Sequence, residues 1–92
     1  MVSKAYRVVF KKTAFKEYSS LPSKIKIKVD EALEMLSINP LSSLIQFKKI
    51  KGREDHYRIR IGDYRVVYCV YEDCIIITVV KVGHRKDVYR FL

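Results

Sequence analysis

The sequence predicts a small single α+β domain of order β-α-α-β-β-β-β, closed by a short C-terminal helix or tail. Three observations carry that prediction. An apolar stripe at helical spacing runs through residues 23–37, period-2 alternation runs through residues 56–68, and the strand-like segments fall mostly in one run after the helical ones. Strands joined by short turns build a mainly antiparallel sheet, and two helices consecutive in sequence pack on one of its faces.

Residues 5–10, Ala-Tyr-Arg-Val-Val-Phe, are rich in β-formers and read as the first strand. Thr13 suits the N-cap of a short helix running to Ser20, with Phe15, Tyr18 and Leu21 inward and Lys11, Lys12 and Lys16 outward. Pro22 marks a boundary, because proline fits a helix's first turn and breaks its interior. In residues 23–37, Ile25, Val29, Ala32, Leu33 and Leu36 share one stripe. Lys24, Lys26 and Lys28 near its start oppose the helix dipole, so they read as a solvated face or as a supplementary grip on a nucleic-acid backbone. Asn39-Pro40 ends this helix, residues 41–44 connect, and residues 47–51 start a second strand carrying Lys48, Lys49 and Lys51. Gly52-Arg53-Glu54-Asp55 is a turn or bulge.

Residues 56–68 then read as a hairpin. Gly62-Asp63 suits a two-residue Gly-X turn, since glycine supplies the positive φ such a turn needs. With Ile61 facing Tyr64, the pairs Ile59/Val66 and Tyr57/Tyr68 share the core face. Arg60 lies opposite Arg65, and Arg58 opposite Val67, so three guanidiniums gather on the other face. Like charges directly opposite destabilise a sheet, a cost that an anion between them offsets. The plainer alternative is that the arginines splay into water. Glu72-Asp73 turns the chain into a last strand over residues 74–82. If Tyr71 faces Cys74, Val80 lies opposite Arg65. Gly83 ends that strand, and residues 84–92 close the chain. The face with Arg58, Arg60 and Arg65 is expected to be open.

Lys plus Arg number 19 against 10 Asp plus Glu, a net charge of +9 that favours polyanionic partners without choosing among RNA, DNA, an acidic membrane surface or an acidic protein. The longest apolar run, Ile75-Ile76-Ile77-Thr78-Val79-Val80, is far short of the roughly 18 residues of a membrane span. Residues 1–10 alternate like a strand and lack a signal peptide's continuous apolar region, so a cytoplasmic protein is expected, with no membrane partner. Cys69 and Cys74 are too few for a disulfide framework and have no metal-ligand companions at suitable spacing; they read as reduced thiols, with no metal site.

Over essentially its whole length the chain resembles the RelE side of the RelE/ParE superfamily of toxin–antitoxin toxins. The resemblance is sharpest in Lys49-Ile50-Lys51-Gly52, Tyr57-Arg58-Ile59-Arg60, Gly62-Asp63-Tyr64-Arg65-Val66-Val67-Tyr68 and Val82-Gly83-His84-Arg85-Lys86-Asp87-Val88-Tyr89. It implies a toxin that enters the ribosomal A site and cuts mRNA there, the message's own 2′-hydroxyl attacking the adjacent phosphate. Residue by residue, it implies catalytic roles for Arg58 and Arg60 before the hairpin turn, Arg65 after it, Arg85 after the last strand's glycine, and Tyr89. His84 stands where relatives vary, and reads either as a proton-transfer group or as a surface histidine ending a strand. Lys48, Lys49, Lys51, Arg53, Lys86 and Arg90 are the expected RNA- and ribosome-binding residues. The implied partners are a RelB-like antitoxin in a hetero-oligomer, the ribosome and mRNA; no cofactor is implied.

These residue types suit that reaction. It needs a 2′-hydroxyl deprotonated, a dianionic phosphorane stabilised and a 5′-oxygen protonated. Arginines grip non-bridging oxygens bidentately without changing protonation. A tyrosine is a poor base at its ordinary pKa of about 10, and neighbouring cations favour its phenolate. Two other classes stay open: a ParE-like inhibitor of DNA gyrase with the same fold, and a basic nucleic-acid-binding module with no privileged residue. Arg65, Arg85 and Tyr89 together favour the nuclease.

Overall fold

A computed structural model describes residues 5–40, 47–52 and 55–91. The elements are β1 (Arg7–Phe10), α1 (Lys12–Ser19), α2 (Ser23–Ile38), β2 (Phe47–Lys49), β3 (His56–Ile61), β4 (Tyr64–Tyr71), β5 (Ile76–His84) and α3 (Arg85–Phe91). This is the predicted α+β order. The five strands form one sheet in the order β1-β5-β4-β3-β2. Only β1 against β5 is parallel, because the two helices intervene between β1 and the later strands.

The expected connection over residues 41–44 and the expected site residue Arg53 lie outside the described residues.

α1 begins two residues earlier than it would if Thr13 capped it. The backbone N–H of Lys11 still donates to Val79 O at 2.9 Å, and the helix follows at once. Lys11 holds the N-cap position without a side-chain cap bond. Ala14 is the fully buried residue of this helix, with Tyr18 and Leu21 packed against the core. Phe15, expected inward, is 53% exposed, its ring edge-on to Phe10 at 5.7 Å. Glu17 ties the helix to β5 by an ion pair with Lys81 and by accepting the Val82 N–H at 3.2 Å.

α2 follows the predicted stripe: Val29, Leu33 and Leu36 are buried, with Ile25 and Ala32 beside them. Ile59, Ile61, Val66, Tyr68, Val70, Ile77, Val79 and Val82 meet the helices from the sheet. Each fully buried aliphatic side chain contributes about 1.5–3 kcal/mol to folding. Tyr57, Tyr64 and Tyr68 lie on this core side, as expected. Tyr68 is completely buried, and burial pushes its phenol well above the usual tyrosine value.

The β3–β4 register is the predicted one throughout: Ile61 opposite Tyr64, Arg60 opposite Arg65, Arg58 opposite Val67, Ile59 opposite Val66 and Tyr57 opposite Tyr68. The β4–β5 register is not. Tyr71 faces Ile76 rather than Cys74, and Arg65 faces Gly83 rather than Val80. Two causes add. The turn is longer than Glu72-Asp73, with Cys74 inside it and Ile75 at φ +56°. Val80 is then an extra residue, since Tyr68 pairs with Val79 and Val67 with Lys81. Such a bulge re-aims the side chains around it. Here Val79 and Val82 face the helices, and Val80 faces the other way. Cys74 is exposed in the turn, and Cys69 is buried.

The far face of the sheet is not open along its length. Val67, Cys69 and Val80 form a second apolar cluster with Ile50 and with Val88 of α3. The closing segment is a helix folded over the arginine side of the sheet, making a third layer. No helix among the described residues is long and apolar enough to cross a membrane.

Candidate active site

The site lies where the β3–β4 hairpin meets α3. Period-2 alternation puts Arg58 and Arg60 of β3 on the same face as Arg65 of β4. Arg58 is half-buried, Arg60 exposed and Arg65 only 7% exposed. A guanidinium cannot shed its charge, so burial demands partners. The Nη1 of Arg65 donates to Gly62 O at 2.9 Å and to Tyr64 O at 3.0 Å. One carbonyl belongs to the turn and the other to Tyr64, the first residue of β4, immediately before the arginine.

α3 brings in the remaining residues. Its first backbone N–H, that of Arg85, donates to Asp63 O at 2.7 Å. Val88 is its buried anchor. Arg85 and Tyr89 stand four residues apart and thus share a helix face. Tyr89 is 50% exposed, and the side chain that packs the segment down is Val88. The Cζ of Arg58 lies 5.4 Å from the centroid of the Tyr89 ring. Hydrogen bonding from Arg65, reinforced by the charges of Arg65 and Arg58, outweighs desolvation and holds the Tyr89 phenol below the ordinary tyrosine value. The arrangement places a half-exposed phenol among cations, one of which, Arg65, is fixed by backbone carbonyls. It suits a phosphodiester and proton removal beside it.

His84 sits at the junction of β5 and α3. Its Nδ1 accepts the Lys86 N–H at 3.3 Å, and its ring meets Tyr64 edge-on at 5.8 Å. That is the bonding of a helix cap. The other basic residues surround this core unevenly. Lys48 pairs with Arg58 and so shares the arginine face, whereas Lys49 pairs with Tyr57 and faces away. Lys51, Lys86 and Arg90 are exposed. Tyr71 shares the arginine face but lies at the far end of β4, lining a cavity with Asp55, Glu72 and Asp73. Its acidic surroundings are poorly suited to a phosphate backbone.

Two features escaped the sequence reading. The carbonyls of the hairpin turn hold Arg65 and the start of α3; backbone groups leave no compositional trace. His56 Nε2 also lies 3.1 Å from Cys69 Sγ, directly across the β3–β4 ladder. The hairpin register, which places His56 opposite Cys69, was the signal for that pair.

Fold and site together define a small basic α+β protein whose cationic sheet face is partly covered by a C-terminal helix carrying a tyrosine. The model of the ParE toxin of the type II toxin–antitoxin system parDE matches residues 4–89. Toxin RelE3 of Methanocaldococcus jannaschii is 37% identical over 89 residues, covering 92% of this chain and 97% of that protein. The mRNA interferase toxin RelE of Escherichia coli strain K12 is 30% identical over 84 residues, covering 89% of this chain and 85% of the relative. Among solved structures, the isolated E. coli RelE toxin superposes with a TM-score of 0.77 at 27% identity, over 96% of this chain and all of that one (100%). RelE in the archaeal RelE–RelB complex of Pyrococcus horikoshii gives 0.76 at 32% identity, over 88% of this chain and 96% of that one. The chain belongs to the RelE/ParE superfamily of type II toxin–antitoxin toxins.

Proposed function

We propose that this toxin is a ribosome-dependent mRNA endonuclease that cuts in the A site and so inhibits translation. The observation that carries the reading is the Tyr89 ring set 5.4 Å from the Arg58 guanidinium on the sheet face where Arg65 is buried and held; the cations favour its phenolate. The names of the relatives support it, one being an mRNA interferase. In the proposed reaction the Tyr89 phenolate takes the proton of the 2′-hydroxyl, whose oxygen attacks the adjacent phosphorus. Arg65, Arg58 and Arg60 balance the charge that builds on the non-bridging oxygens. The bond from phosphorus to the 5′-oxygen breaks, leaving a 2′,3′-cyclic phosphate and a 5′-hydroxyl. Arg85 stabilises the departing oxygen, which takes its proton from water, since arginine is too weak an acid to supply one. His84 serves the start of α3 in this scheme rather than exchanging protons with the message.

Lys48, Lys49, Lys51, Arg53, Lys86 and Arg90 supply the grip on RNA and ribosome, with Arg85, Lys86, Tyr89 and Arg90 all carried on one short helix. A RelB-like antitoxin is the proposed protein partner, forming a hetero-oligomer in which an acidic segment neutralises the basic face. Crystallised RelE–RelB complexes of similar toxins support this. The test is cleavage of mRNA threaded through purified ribosomes. Cuts ending in 2′,3′-cyclic phosphate, absent from ribosome-free RNA, are expected; Arg65→Ala and Tyr89→Phe should each slow them about 100-fold or more while leaving ribosome affinity nearly unchanged. Intact mRNA from folded wild-type toxin would refute the nuclease and turn attention to gyrase.

A further inference from the structure

Three consecutive carbonyls, the two of the β3–β4 turn and that of Tyr64 at the start of β4, are committed to the site. Gly62 O and Tyr64 O accept from Arg65 Nη1, at 2.9 and 3.0 Å. Asp63 O, between them, accepts the Arg85 N–H at 2.7 Å. One turn thus fixes both the sheet arginine and the first residue of the helix that carries Tyr89 four positions on. Donating both Nη1 hydrogens to backbone leaves the Nε and Nη2 hydrogens of Arg65 for Tyr89 and for an anion. We propose that Gly62 is a positioning residue of the site: its backbone conformation aims the turn carbonyls that set Arg65 against Tyr89 and seat the start of α3.

The constraint is conformational, not steric. Gly62 has φ +59°, and a Cβ built there would meet nothing within 4 Å. An L-alanine is therefore disfavoured only through its backbone, whereas a D-alanine is at ease at positive φ. With an L residue the turn relaxes, and the carbonyls that hold Arg65 swing away. A displacement of about 1 Å at a catalytic group costs about 100-fold in rate. This role rests on the nuclease reading for its kinetic consequence, but the geometry also predicts a signal in the isolated protein. When Arg65 leaves Tyr89, the Tyr89 phenol loses its main acidifying contact.

The experiment compares wild type, Gly62→Ala, Gly62→Asn and a semisynthetic chain with D-alanine at position 62. Two readouts are taken on folded protein: the Tyr89 titration by NMR of ring-labelled tyrosine, and single-turnover cleavage on ribosomes with separate measurement of ribosome affinity. Asparagine tolerates positive φ better than alanine and keeps a folded variant available if Gly62→Ala does not fold. Expected are an upward move of the Tyr89 titration in Gly62→Ala, a smaller one in Gly62→Asn, a matching fall in cleavage rate of up to about 100-fold with affinity within about twofold, and recovery of both with D-alanine. A folded Gly62→Ala or Gly62→Asn with the wild-type Tyr89 titration overturns the proposal, as does D-alanine that fails to restore it. Absence of cleavage in every form, with the titration moving as expected, overturns the nuclease reading and leaves the positioning role standing.

Discussion

Arg65 concentrates the chemistry of the site. Its burial would be costly for a lone cation, and the turn carbonyls offset that cost while fixing the orientation of the guanidinium. A fixed guanidinium beside a phenol does two things at once: it presents donors to an anion and favours the phenolate. The consequence for pH follows from the direction of the Tyr89 shift. A phenol held below its ordinary value is deprotonated at lower pH, so cleavage that uses the phenolate rises with pH and levels off before an ordinary tyrosine would. Arg58→Ala removes one of the cations, and its pH–rate profile should move upward toward the ordinary value of about 10. At neutral pH its cleavage rate should fall about 100-fold. A pH series of single-turnover rates for wild type and Arg58→Ala checks both statements. A profile unmoved by the substitution would separate Arg58 from the acidity of Tyr89.

Among the described residues, α3 is anchored by the buried Val88, by the Arg85 N–H on Asp63 O, by the His84 cap and by the Tyr89 ring against Arg58. Val88→Ala removes about 2 kcal/mol of burial and packing from a seven-residue helix. The loss should appear as faster amide exchange in residues 85–91, with the strands protected as before, and as slower cleavage through the displacement of Arg85 and Tyr89. Equal loss of protection across β4 and β5 would mean instead that α3 is integral to the core. The two other helices are tied to each other by the hydrogen bond from the Tyr18 hydroxyl to the Asp30 carboxylate. That bond, with burial and the Asp30 charge, raises the Tyr18 phenol from 10.0 to about 12. A pKa raised by folding adds stability that is complete below 10.0 and lost as pH climbs toward about 12. Tyr18→Phe should therefore cost about 1 kcal/mol at pH 8 and almost nothing at pH 12, read as the gap between wild-type and variant melting temperatures.

For the molecule as a whole, a charge of +9 on 92 residues makes encounter with a polyanion fast, strong and sensitive to salt. Charge alone does not cut RNA. The two contributions should separate experimentally: raising salt from 50 to 200 mM should weaken ribosome binding by about 10³-fold or more if six or more phosphates are neutralised. The rate of cleavage at saturating toxin should change far less, because the buried and partly buried contacts around Arg65 are screened little. A cleavage rate that tracks salt as steeply as binding would return the protein to the class of undifferentiated basic modules. The layered architecture also bears on binding. With α1 and α2 covering one face of the sheet and α3 part of the other, the arginines are left as a bounded patch beside a helix rather than an open plain.

The residues alone were enough for the element order, the helix stripe of Val29, Leu33 and Leu36, and the β3–β4 pairs from Ile61/Tyr64 to Tyr57/Tyr68. Those features are local. A two-residue turn leaves one register, and a 3.6-residue period leaves one buried face. Face assignment also survived elsewhere, which is why Arg58, Arg60 and Arg65 share a side as expected. The β4–β5 register was not legible, for a specific reason. Alternation reports only the parity of a strand, and a slip of two residues, Tyr71 to Ile76 instead of Cys74, leaves every side chain on its original face. Nothing in Glu72-Asp73-Cys74-Ile75 announces a turn with a β-branched residue at positive φ. The bulge at Val80 likewise exists because apolar clusters on both sides of the sheet each claim a valine. The hold on Arg65, the docking of α3 through Asp63 O and Val88, and the acidity of Tyr89 all depend on groups 20 or more residues apart or on backbone atoms common to every sequence. Packing brings them together, and only the folded chain contains them.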